Sequence, residues 1–189
     1  MQQPRKAALL VDDEESIRYL LSKQLQELGY ECVAAASGQE ALKIASRTQF
    51  DLVLLDVMMP VVSGLDVLER LRVGEKGQYP SIVMLTAAVD AVVAAKALSL
   101  GADAYVTKPC SMEYLRDRIR FAEERRGKIR RGEVVDPHEA AQPEGVVDLG
   151  EITVDLIQQQ VAAFEEAMSS SAEPKPAPRR RFWPWGKRT

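Results

Sequence analysis

The chain is poor in the residues that carry most metal, disulfide and hydrolytic chemistry. It holds two cysteines, Cys32 and Cys110, far apart and in no metal-ligand spacing. That usage speaks against a disulfide framework and for a reducing compartment. Its one histidine, His138, lies in a polar stretch without the company a metal site needs, and reads as a surface residue. No apolar run approaches the roughly 20 residues needed to cross a bilayer. Residues 1–6 are polar and lack the apolar middle region of a signal peptide. A soluble, cytoplasmic protein is expected. Nothing after residue 126 supplies a nucleotide-binding loop, a Ser-His-Asp group or a metal cluster. The formal net charge of −3 offers no general affinity for nucleic acid. That average conceals an asymmetry. Residues 175–189 contain Lys175, Arg179, Arg180, Arg181, Lys187 and Arg188 and no acid, the mark of an interaction tail.

What is present is a regular alternation. Short apolar runs at residues 7–11, 31–35, 52–55, 82–85 and 104–106 read as strands. Helical spacing follows each. Ile17, Leu20, Leu21, Leu25 and Leu28 mark a helix over residues 16–28, closed by Gly29. Ser37 and Glu40 form a capping box for a helix through Ala45. Further helices are expected around residues 65–71, 91–100 and 111–126. Strand and helix alternate five times in about 120 residues, which implies parallel strands joined by right-handed crossovers. A barrel of eight such units would need roughly twice that length. The expected fold is therefore α/β: an open, flavodoxin-like, doubly wound five-stranded parallel sheet. Beyond the alternation there is no internal repeat.

In such a sheet the C-terminal strand ends line the ligand crevice. Here those ends carry Asp12 and Asp13, Asp56, Thr86, and Lys108 followed by Pro109. A carboxylate can accept a phosphoryl group as an acyl phosphate, and Asp56 is the candidate nucleophile. Magnesium (or manganese) suits such a site, because it takes oxygen ligands from one or two carboxylates plus phosphate oxygens. Asp13 and Asp56 are the expected direct ligands, with Asp12 acting through water. Lys108 would neutralise one phosphoryl oxygen, and Thr86 would donate a hydrogen bond to another. Each group has an ordinary alternative. The acid pair could be a helix N-cap, Asp56 a solvated strand end and Thr86 a β-branched strand residue. Their joint occurrence on four strands favours the site.

These segments resemble the receiver domains of bacterial two-component response regulators. The resemblance rests on Val11-Asp12-Asp13-Glu14, Leu55-Asp56-Val57-Met58-Met59-Pro60 with Gly64, Leu85-Thr86-Ala87 and Gly101-Ala102-Asp103-Ala104-Tyr105-Val106-Thr107-Lys108-Pro109. It covers residues 6–126. It implies that Asp56 takes phosphate from a histidine kinase, a phosphotransfer protein or a small phosphodonor. It also implies that the Met58 backbone carbonyl is a further metal ligand, that the Lys108–Pro109 bond is cis, and that Tyr105 moves with Thr86 as a switch. The fourth helix, fifth strand and fifth helix would form the output face. Such a protein is no enzyme beyond catalysing its own phosphotransfer and dephosphorylation.

Past residue 126 the resemblance ends. Residues 127–147 read as a linker, 148–170 as a short, mostly helical amphipathic segment, and 171–189 as a disordered tail rich in Pro, Arg and Trp. Residues 155–168 carry Leu156, Ile157, Val161, Phe164 and Met168 on one side, with Asp155 as N-cap. Residues 147–156 faintly resemble the opening strands of a winged-helix effector, with too few residues after them to complete one. DNA is therefore an unlikely partner. In the tail, basic residues flank Phe182, Trp183 and Trp185. Prolines disfavour a helix there, so an extended peptide docking on a protein is favoured. A membrane surface, nucleic acid or a merely solvated tail are the alternatives. The leading expectation is a signalling protein that acts through phosphorylation-dependent protein contacts. The alternatives are a DNA-binding transcription regulator with a degenerate winged-helix effector, and a phosphoaspartyl phosphatase.

Overall fold

The computed structural model describes residues 5–73, 80–87 and 91–135. The amphipathic segment, the aromatic tail and His138 lie outside these residues, as do most of the linker and Asp155.

Five strands and five helices alternate along the described chain: β1 (Lys6–Val11), α1 (Glu15–Glu27), β2 (Tyr30–Ala35), α2 (Gly38–Ala45), β3 (Leu52–Asp56), α3 (Gly64–Val73), β4 (Ser81–Thr86), α4 (Ala91–Ser99), β5 (Ala104–Thr107) and α5 (Met112–Arg130). The strands form one parallel sheet in the order β2-β1-β3-β4-β5. The strand order reverses between β1 and β3, which opens the crevice where ligands bind in such sheets.

The apolar strands follow from burial on both faces. Side chains of a strand alternate between faces. Leu9, Val11, Val53, Leu55, Ile82, Met84 and Tyr105 enter one core with Ala41, Leu65, Leu68, Val93 and Ala97 of α2, α3 and α4. Ala8, Leu10, Leu52, Leu54, Val83, Leu85, Ala104 and Val106 enter the other, against Leu21, Leu25, Leu115, Ile119 and Ala122 of α1 and α5. Each fully buried leucine contributes about 1.5–3 kcal/mol relative to an exposed one. A central strand with both faces covered has no place for a polar residue until it leaves the sheet. That is why the chemistry sits at the ends.

Local signals set the helix limits. The Ser37 hydroxyl accepts from the Glu40 amide at 3.3 Å, while the Glu40 carboxylate accepts from the Ala36 amide at 2.8 Å. The box is thus shifted by one residue on its return arm. A complete box starts α3: Ser63 Oγ accepts from the Asp66 amide, and Asp66 Oδ2 accepts from both the Ser63 amide and its hydroxyl. The last helix differs from expectation. Gly127 does not end it, and α5 runs on to Arg130. A helical glycine costs only about 1 kcal/mol. The stop is supplied instead by Gly132 at φ +75°, with Gly132 N–H to Ile129 and Glu133 N–H to Lys128. That pair of bonds is a Schellman closure, which satisfies the last carbonyls.

Candidate functional site

Register brings the strand ends level. Val11 pairs with Leu55, Asp56 with Leu85, and Thr86 with Thr107. The residues just beyond β1 and β5 therefore close on the end of β3. The Lys108 amide donates to the Thr86 carbonyl at 2.6 Å, tying the two loops together. The Lys108–Pro109 peptide bond is cis, as expected.

Asp12, Asp13 and Asp56 each place a carboxylate oxygen within 4.8 Å of the others. Asp12 and Asp56 are buried and Asp13 is exposed. Lys108 Nζ lies 2.8 Å from Asp12 Oδ2 and 2.8 Å from Asp56 Oδ1. One ammonium among three carboxylates leaves two formal negative charges. Burial pushes the Asp56 carboxyl above its ordinary value against the pull of Lys108, and Asp12 and Asp13 add to the rise. Burial works against the Lys108 ammonium, but its two carboxylate partners outweigh it and raise its pKa. The ammonium is therefore held charged. Oxygen donors and uncompensated negative charge are what a hard divalent cation requires.

The supports of the site are local. The Asp12 carboxylate accepts from the Glu14 amide at 2.9 Å through its other oxygen. That bond is an Asx-turn onto Glu14, the residue that precedes α1; no side chain caps this helix, so the acid pair does not serve as its N-cap. Arg18 donates from α1 to the Asp12 carbonyl at 2.8 Å. Gly64 is required by close approach: a Cβ there would collide with the Asp56 carbonyl oxygen. Between these two residues the chain makes a tight turn, with the Val62 amide bonded to the Pro60 carbonyl at 2.8 Å and Val61 at φ +70°. A β-branched residue at the centre of such a γ-turn is strained.

Thr86 is buried at the end of β4, beside the site. Tyr105 is also buried, and belongs to the core shared by α2, α3 and α4 rather than to the surface. Met58 stands in the loop after β3 with its side chain largely exposed. Phe182, Trp183 and Trp185 lie outside the described residues. Burial raises both thiols, Cys32 and Cys110, above their ordinary value, as expected of unreactive packing residues.

One polar cluster escaped sequence reasoning. Asp103 is fully buried; its Oδ2 accepts from Arg72 at 2.8 Å, from Arg126 Nε at 3.1 Å and from the Ile82 amide at 2.8 Å, and Arg126 Nη2 lies 2.7 Å from Oδ1 as an ion pair. Arg72 also donates to the carbonyls of Gly101 and Pro80. The cluster pins α3 and α5 to the loop before β5. Its members are 31 and 23 residues from Asp103, so no local pattern reveals it.

Fold and strand order define a CheY-like, flavodoxin-type domain. The chain belongs to the response regulator receiver domain family, which it matches over residues 8–120, and is thus a two-component signalling protein. Among curated proteins it is similar to the "Probable transcriptional regulator ycf27" of Porphyra purpurea, with 36% identity over 161 residues, covering 85% of this chain and 63% of that protein. It is also similar to the "Alkaline phosphatase synthesis transcriptional regulatory protein PhoP" of Bacillus subtilis, with 38% identity over 152 residues, covering 79% of this chain and 60% of that protein. The chain thus spans less than two thirds of these relatives. Among solved structures, the chemotaxis protein CheY4 of Vibrio cholerae is similar at 34% identity and a TM-score of 0.58, over 62% of this chain and 98% of that one. A CheY-like receiver domain from Methanospirillum hungatei is similar at 28% identity and a TM-score of 0.60, over 66% of this chain and 99% of that one. No described helix is long and apolar enough to cross a membrane.

Proposed function

We propose that this chain is a phosphorylation-controlled switch in which Asp56 accepts a phosphoryl group from a histidine kinase, a phosphotransfer protein or a small phosphodonor. The observation that carries the reading is the cluster in which three carboxylates meet within 4.8 Å and one ammonium contacts two of them. A carboxylate oxygen of Asp56 attacks phosphorus, forming an O–P bond. The bond from phosphorus to the donor's nitrogen or oxygen breaks, and the donor leaves with that electron pair. Lys108 offsets charge on one transferred oxygen, and the Thr86 hydroxyl donates to another. Asp13, Asp56 and the Met58 carbonyl would hold Mg2+ or Mn2+, with Asp12 acting through water. When bound, the ion draws charge from the transferring group.

Thr86 and Tyr105 are the proposed switch pair. They lie on adjacent strands, and Met84 pairs directly with Tyr105. A charge change at Asp56 biases two packed states of this region. The output is contact with a downstream protein through α4, β5 and α5, with Phe182, Trp183 and Trp185 as a further docking element. The chain's only catalysis is of its own phosphorylation and dephosphorylation, in the cytoplasm.

A second reading is favoured by one observation. The similarity to transcriptional regulators runs over as many as 162 residues, well past the 8–120 match to the receiver family. On this reading residues 147–156 belong to a DNA-binding effector. Sequence-selective retention on DNA by the full chain would favour it over a protein-contact output.

The phosphoacceptor reading is tested by incubating the full chain with Mg2+ and acetyl phosphate. An acid-stable, hydroxylamine-labile adduct is expected on the wild type and not on Asp56→Asn. Persistence of the adduct in the variant would overturn the assignment.

A further inference from the structure

Within the acid cluster, Asp13 is the member whose carboxylate meets no hydrogen-bond or ion-pair partner among the described residues. Asp12 and Asp56 are buried and share Lys108, whereas Asp13 is exposed. A carboxylate without partners takes its place from the backbone that carries it. What fixes that backbone therefore fixes the oxygen offered to a cation.

The chain at Asp12 is held from three sides. The Asp12 amide donates to the carbonyl of Ala35, the last residue of β2, at 3.2 Å. Asp12 Oδ1 accepts from the Glu14 amide at 2.9 Å. The third hold comes from α1, where Arg18 Nη1 donates to the Asp12 carbonyl at 2.8 Å. That carbonyl belongs to the same planar peptide as the Asp13 amide, so the bond acts on the plane from which Asp13 departs. Helix α1 starts without a side-chain cap. The Asx-turn and the Arg18 bond therefore set how the loop enters the helix.

The sequence accounts for the reach. Arg18 stands six residues after Asp12, in the first turn of α1, with its own amide bonded to the Glu14 carbonyl at 3.0 Å. Helical side chains lean toward the N-terminus, and from this position a long one arrives back at the loop. The placement is otherwise unfavourable, because a cation in the first turn faces the positive end of the helix dipole. No described carboxylate forms an ion pair with Arg18, although three stand together at the strand ends. The half-buried guanidinium grips backbone and leaves the negative charge of the cluster for another cation. Its planar fork holds a direction better than an ammonium would.

We infer that Arg18 is a positioning residue for a divalent cation: by holding the Asp12–Asp13 peptide from α1, it sets the Asp13 carboxylate within the acid cluster. The inference rests on the reading of that cluster as a Mg2+ or Mn2+ site. Two physical effects oppose each other here. A positive charge near the site repels a divalent cation, so removing the charge alone would tighten binding. Removing the hold on a metal ligand weakens binding, by about tenfold for partners of this kind. The sign of the change decides between them.

Manganese titration of the unphosphorylated full chain tests it, with free ion read by electron paramagnetic resonance and no phosphodonor present. Arg18→Met keeps an apolar stem and loses the charge and the donors. It should raise the manganese Kd about tenfold. Arg18→Gln is neutral and too short to span the gap. It should shift the Kd in the same direction, and it carries the comparison if Arg18→Met does not fold. Thermal melts without metal are read in parallel. A merely structural bond would lower the melting temperature and leave the Kd unchanged. A double-mutant cycle reads the route through Asp13: Asp13→Asn weakens binding, and adding Arg18→Met to it should add little. Unchanged or tighter binding in the folded Arg18 variants, or losses that multiply in the pair, would overturn the positioning role alone. A wild type that binds no manganese would overturn the metal site itself, and the positioning role with it.

Discussion

At the scale of the residue, the site holds its own instability. Asp56 is a buried carboxylate beside two others, and its pKa stands above the ordinary 3.8 mainly because burial penalises the charge. The folded state therefore keeps this proton when the unfolded chain has lost it. The stability linked to the group is complete below pH 3.8 and falls as pH rises through the higher folded value. Lys108 acts at the other end of the scale. Its raised pKa gives stability that is complete below 10.5 and is lost above the folded value. At neutral pH without divalent cation, Asp56→Asn should therefore melt at a higher temperature than the wild type. Its stability should also decline less as pH rises from the acid side. Magnesium should narrow the gap by stabilising the wild type alone. Thermal melts across pH 4–8 would check this, and a less stable variant at pH 7 would refute it.

At the scale of the element, strand ends make the site and a buried ion cluster holds its frame. Asp103 receives Arg72 from α3 and Arg126 from α5, with an amide from β4. Removing one member of a buried cluster strands the others' charge. Asp103→Ala should cost about 3–5 kcal/mol, while replacing the exposed Arg116 should cost under 1 kcal/mol. Denaturant unfolding would separate the two, and equal effects would contradict the assigned role. The elements also show what the sequence could and could not reveal. Asp12, Asp56, Thr86 and Lys108 were legible because each interrupts an apolar run where a buried strand surfaces. The cis Lys108–Pro109 bond followed from family resemblance, and not from the physics of the dipeptide. Arg18 and the Asp103 cluster were hidden, since each depends on how a helix lies across the sheet. Helix α5 outruns the expected residues 111–126 because it tolerates Gly127 in its interior. Two bonds around Gly132 decide the matter, and only the folded backbone shows them.

At the scale of the whole molecule, charge and apolar surface are distributed unevenly. The site is anionic, the sequence of residues 146–170 is acidic, and that of the last fifteen residues is basic. A phosphoryl group at Asp56 would act on this balance from the strand ends, through β4 and β5. The whole scheme depends on one event at one carboxylate. The decisive measurement is peptide mapping of the phosphorylated full chain after hydroxylamine trapping, across a magnesium titration and with chelator. The account predicts a single modified site at Asp56, with labelling that saturates with magnesium, vanishes with chelator and is strongly weakened in Asp13→Asn. Labelling at another residue, or labelling indifferent to magnesium, would contradict it.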